Sequence, residues 1–167
     1  YLLRSDSIYI ASNITVHNLA PVASFLGKIG RPDLGGLPVA EFIKRQRLHR
    51  EAEIGAMRDV AQFIEKAQQI YGYEHFVNDA GGSICELDDE ETTNVLAEHT
   101  LILYLKPDEA MRQTLIERAD TAPKPMYYKE DFLIPQLEEY VSSAGLASPD
   151  AIVPDEFARW VFPRLLK

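Results

Sequence analysis

Two short, unbroken apolar runs interrupt a chain otherwise patterned for helices. Phe76-Val77 leads into Asn78-Asp79-Ala80-Gly81-Gly82-Ser83, and Leu101-Ile102-Leu103-Tyr104-Leu105 follows further on. Runs this short and this uniformly apolar read as strands covered on both faces, as parallel sheets require. The alternative, a buried helix segment, needs greater length, and Gly81-Gly82 bounds the first run. With helical stretches between them, the two runs predict an α/β fold. In open α/β sheets ligands collect outside the carboxyl ends of strands, which makes 78–83 a candidate site. Tyr1-Leu2-Leu3 reads as the end of a further strand entering the polar turn Arg4-Ser5-Asp6-Ser7. Ile8-Tyr9-Ile10 fits a strand or a helix start equally well.

The longest helical pattern runs from Leu37 to Tyr71, with Met57, Val60, Ala61, Ile64, Ala67 and Tyr71 on one stripe at three- and four-residue steps. That stripe predicts core, and Gly72 follows as a C′ residue. Asp88 with Glu91 matches a capping box opening a helix through about Glu98, and Asp108 caps a helix from about Glu109 to Arg118. A helix is expected from about Asp131 to Ser143. Ser148-Pro149-Asp150 and Pro154-Asp155 open a helical tail, 148–167, in which Phe157, Trp160, Val161 and Leu165 fall at near-helical spacing. No internal repeat or low-complexity tract is present.

At 167 residues and 46% hydrophobic content the chain suits a single domain, 1–167. A net charge of −9 argues against nucleic acid or an anionic membrane as a general partner. Cys85 is the single cysteine, so internal disulfides and zinc-finger spacing are excluded and a reducing cytoplasm is the expected compartment. No apolar run approaches the length of a membrane span. The first residue is Tyr, so a fragment, a processed product and a trimmed chain all stay open.

Several constellations carry candidate chemistry. Lys44, Arg45, Arg47 and Arg50 concentrate positive charge, which suits either an anion site or an exposed face with i,i+4 ion pairs. Glu86, Asp88, Asp89, Glu90 and Glu91 form either a metal site or a solvated first turn complementing the helix dipole. Asp79, at a strand end, is a candidate acid, base or metal-water ligand, or else a turn-forming residue. Cys85 reads as a small buried apolar residue rather than a nucleophile. His17, His49, His75 and His99 lack close metal-ligand spacing. Neither G-x-x-x-x-G-K-[ST] nor G-x-G-x-x-G occurs.

The order of parts from about Tyr1 to Tyr140 nevertheless resembles the shikimate-kinase-like branch of P-loop nucleoside-triphosphate kinases. Asp6 in Arg4-Ser5-Asp6-Ser7 matches the acidic turn that serves substrate and magnesium. His49-Arg50-Glu51-Ala52-Glu53 is similar to the arginine element that holds an anionic substrate, with histidine in place of its aromatic residue. Asn78-Asp79-Ala80-Gly81-Gly82 looks like the Gly-Gly loop of the substrate pocket, while Arg118 and Lys124-Pro125 are similar to the arginine and lid that follow.

That resemblance implies a three-layer α/β/α domain with a mainly parallel sheet, its first strand, phosphate loop and helix lying upstream of Tyr1. It also implies ATP and Mg2+ as cofactors, a lid-like loop at 119–130, and phosphoryl transfer to a small anionic or hydroxyl-bearing metabolite, or ATP hydrolysis. Arg50 would clamp the substrate anion, Gly81 and Gly82 would let backbone approach it, and Asp6 would hold magnesium through water. Asp79 would position a water or hydroxyl, and Arg118 and Lys124 would close over the phosphate. The competing reading is a non-catalytic binding or regulatory α/β module, in which the basic cluster and the acidic helix start could serve as complementary surfaces of a homo-oligomer. A hydrolase or transferase using Asp79 and a histidine is a third.

Overall fold

In the computed structural model, residues 2–4, 9–11, 23–80 and 84–166 are described. Helices dominate them: α1 Val39–Arg58, α2 Val60–Tyr71, α3 Ile84–Leu87, α4 Glu90–His99, α5 Glu109–Thr121, α6 Glu130–Ser143 and α7 Pro154–Leu165, with 3-10 turns at Pro32–Leu34 and Pro149–Ala151. The strands β1 Leu2–Arg4 and β2 Tyr9–Ala11 form a short antiparallel pair in which Leu3 is opposite Ile10.

The expected three-layer α/β/α fold is therefore overturned. Among the described residues there is no parallel sheet; the parallel pairing present is one isolated bridge between Ile29 and Leu37. With it falls the resemblance to P-loop, shikimate-kinase-like proteins, and with that the support the resemblance lent to the ATPase and kinase labels. Neither 76–77 nor 101–105 is a strand: Phe76 packs against a core from an irregular segment, Val77 is 91% exposed, and 101–105 are between 52% and 90% exposed. Short apolar runs carry no periodicity that separates a covered strand from an irregular segment.

The described residues divide into two compact units. One comprises 23–47 and 105–166. Its core gathers Ile29, Phe42, Tyr128, Leu133, Leu137, Tyr140, Ile152, Phe157 and Val161. Leu133, Leu137 and Tyr140 recur at four- and three-residue steps along α6, and Phe157 and Val161 lie one turn apart on α7, so each helix turns one apolar stripe inward. The Tyr140 ring meets Phe157 edge-on at 5.3 Å and Trp160 at 5.2 Å. Pro154 opens α7 at its first turn, where a missing N–H costs nothing. Beside this core the backbone passes very close at Gly30, whose φ is 127°: a side chain there would strike the Ile152 carbonyl, which accepts the neighbouring Arg31 N–H at 2.9 Å.

A buried amide fixes the segment before α6. Gln46 of α1 accepts the Tyr128 N–H on its Oε1 at 2.9 Å and donates from Nε2 to the Met126 carbonyl at 3.4 Å. Without it, non-helical backbone inside the core would have no partner.

The other unit comprises 48–104 with the strand pair. Ala56, Met57, Val60 and Leu96 form its core, with Ile64, Phe76, Ala80 and Ile84 packed against them. Met57, Val60 and Ile64 of the predicted stripe thus belong to this core and Ala67 is buried, whereas Ala61 and Tyr71 are only half-buried and the helix is divided at Asp59. Gly72, at φ 67°, ends α2 as expected and returns its N–H to the Gln68 carbonyl at 2.9 Å.

Replacing Gln46 with Leu should leave the buried Tyr128 N–H unsatisfied and cost about 1–3 kcal/mol in urea-induced unfolding. A loss below the error of the measurement would remove Gln46 from this role.

Candidate functional site

The basic cluster does not converge on an open anion site. Arg45 donates from Nε to Glu41 at 2.7 Å and from Nη1 to the Phe25 carbonyl at 3.0 Å, while Arg47 engages Glu130 through two bonds of 2.7 and 2.6 Å. Arg50, the expected substrate clamp, grips the end of α3 instead: Nε and Nη2 donate to the Leu87 carbonyl at 3.0 and 2.6 Å. A guanidinium fork thereby satisfies a helix-terminal carbonyl that has no acceptor role within α3.

Asp79 lies exposed in the irregular segment after α2, beside Asn78, whose side chain reaches the Met57 sulfur at 3.5 Å. Arg50 and Asp79 belong to the 48–104 unit, whereas Arg118 and Lys124 belong to the other. Arg118 is exposed on the last turn of α5, and Lys124 is exposed next to Pro123, whose carbonyl accepts Lys28 Nζ at 3.2 Å. Within 119–130, Tyr127 and Tyr128 are buried. Asp6, Gly81 and Gly82 lie outside the described residues.

The acidic cluster takes the first-turn role. Asp89, one residue past the predicted cap, accepts the Thr92 N–H at 2.8 Å and opens α4. Asp88 precedes it in the left-handed region at φ 50°, which Asp tolerates better than most residues. Arg58, not singled out by any sequence pattern, donates to Asp89 at 3.0 Å and pairs with Glu91 at 2.9 Å. Bonds from Thr92 and then Arg58 hold the Asp89 carboxyl far below the usual carboxylate range. Asp108 caps α5 by accepting the Met111 N–H at 2.7 Å, as its spacing predicted.

His49 is buried, and its Nε2 lies 3.7 Å from Glu53. Burial lowers its pKa and prevails over the opposing attraction of Glu53. Cys85, expected to be buried, is exposed.

Among the described residues no group of three or more His, Cys, Asp or Glu side chains could hold a metal ion. No helix among them is long and apolar enough to cross a membrane. A cavity of about 10 Å³ beside Lys28, Phe42, Tyr128 and Phe157 has room for one water at most.

What the described surface does offer is apolar. Leu101, Ile102, Leu103, Tyr104 and Leu105 are all exposed, and no hydrogen bond ties their backbone to another described residue. Comparison with known proteins matches no protein family, no curated protein and no solved structure.

Stability should fall on acidification in two stages. His49 and Asp89 both have folded-state pKa values below their unfolded ones, so their contributions are complete above the unfolded values and drain away as pH drops toward the folded ones. For His49 the decline begins below 6.5, for Asp89 below 3.8. Thermal unfolding of His49→Gln should lose the first stage and keep the second; an unchanged profile would discharge His49.

Proposed function

We propose that this chain is a non-catalytic binding module that engages a partner through the apolar run 101–105. One observation carries this reading: five consecutive large apolar residues, each more than half exposed, stand outside both cores. Contiguous apolar surface of that kind is uncommon on monomers and marks interaction sites. The run is also uncharged, and its backbone has no hydrogen-bond partner among the described residues, as pairing with an added strand requires.

A second reading, transfer of a phosphoryl group from ATP to a small anionic or hydroxyl-bearing metabolite with Mg2+, draws on Arg50 and Asp79 belonging to the same unit. It asks Arg50 to leave the Leu87 carbonyl for a ligand.

Leu103→Asp separates these readings. As a substitution on an exposed segment it should change stability by no more than about 0.5 kcal/mol, while weakening binding of the hydrophobic, anionic dye anilinonaphthalene sulfonate. A large loss of stability would show that the run is core and end the docking reading. A rise in unfolding temperature with Mg2+ and ATP, absent in Asp79→Asn, would favour the second.

A further inference from the structure

We infer that the run 101–105 is a cleavage site for an endopeptidase that takes large apolar residues, and that the cut chain stays assembled through the core that 23–47 and 105–166 build together. The inference goes beyond the binding-module reading and does not depend on it.

An endopeptidase holds its substrate as an extended strand and bonds to the substrate's own N–H and C=O groups. A bond is therefore cut where backbone is exposed and unpaired, not wherever a suitable residue type occurs. Residues 101–105 meet that condition: they are irregular, their backbone bonds to no other described residue, and none of their side chains joins either core. Other large apolar residues do not. Phe25, Leu48, Ile70 and Met111 are exposed but helical. Tyr73 returns its N–H to the Ala67 carbonyl at 3.4 Å. Val77 is held between Phe76, which packs on a core, and Asn78, whose side chain reaches the Met57 sulfur. Tyr127 and Tyr128 are buried.

The sequence of the run selects the enzyme. Leu101, Leu103, Tyr104 and Leu105 each offer a side chain to a hydrophobic specificity slot. A lysine-specific enzyme meets Pro107 directly after Lys106, a tertiary amide without an N–H. Hydrolysis at Tyr104–Leu105 consumes one water: the C–N bond breaks, the water oxygen stays on the Tyr104 carbonyl carbon as part of a carboxylate, and the Leu105 nitrogen becomes an ammonium group.

Contacts that span the cut hold the pieces. Ile29 and Phe42, from upstream of it, share one core with Tyr128, Leu133, Ile152 and Phe157 from downstream. The Ile152 carbonyl accepts the Arg31 N–H and Asp150 the Val39 N–H, both at 2.9 Å. Gln46 takes the Tyr128 N–H, Arg47 engages Glu130 and Lys28 pairs with Asp155.

Limited digestion of the whole chain with chymotrypsin, read by mass spectrometry and size-exclusion chromatography, tests this. From residue 23 onward, the first bond broken should follow one of residues 101–105. It should break about tenfold or more ahead of any other, because the others need local opening first. The two pieces should elute together in buffer and apart in urea. A first cut elsewhere from residue 23 onward, resistance under conditions that digest the heat-unfolded chain, or pieces that part without urea overturns the inference. A run cut first while Leu103→Asp leaves dye binding unchanged keeps the inference and ends the docking reading; a run that resists while that variant loses dye does the reverse.

Discussion

Wherever this chain leaves a helix inside a core, the backbone groups it brings along must find partners, and among the described core residues no sheet ladder supplies them. The 23–47 and 105–166 unit meets the requirement with individual contacts. Gln46 takes the Tyr128 N–H, the Ile152 carbonyl takes the Arg31 N–H, and the Ile29–Leu37 bridge serves the chain on either side of its first 3-10 turn. Gly30 allows the second of these by having no side chain to hold the backbones apart. Each amounts to one or two bonds rather than a ladder, so the packing of Phe42, Tyr128 and Phe157 depends on a few polar atoms being in place.

Features with a local physical cause were legible in the sequence. Asp108 caps α5 because a carboxylate can accept an N–H three residues on, Gly72 ends α2 because it enters the left-handed region without strain, and Met57 and Val60 face a core because their spacing matches the helical period. The start of α4 was legible to within one residue; Asp88 and Asp89 compete for the cap, and Arg58 makes its bonds to the second.

Features that depend on long-range pairing were not legible. Arg50 and the Leu87 carbonyl are far apart in sequence, and nothing in His49-Arg50-Glu51 distinguishes an arginine that grips a helix end from one that grips a substrate. Gln46 carries no periodic signal at all. The apolar runs were misassigned for the same reason: whether 101–105 lies within a sheet or outside every core is decided by residues elsewhere in the chain, not by its own five side chains.

That last disagreement is informative rather than incidental. Local preference and final conformation agree along most of a natural chain, and the places where they part are enriched in function. Leu101 to Leu105 prefers a covered strand and has neither cover nor strand among the described residues. Elsewhere on the described surface only Val77, from the other run read as a strand, shares this tension; the cations of the basic cluster are matched by Glu41, Glu130 and backbone carbonyls, and a net charge of −9 opposes indiscriminate association. An attraction confined to one uncharged stretch of an otherwise self-repelling chain favours contacts that saturate.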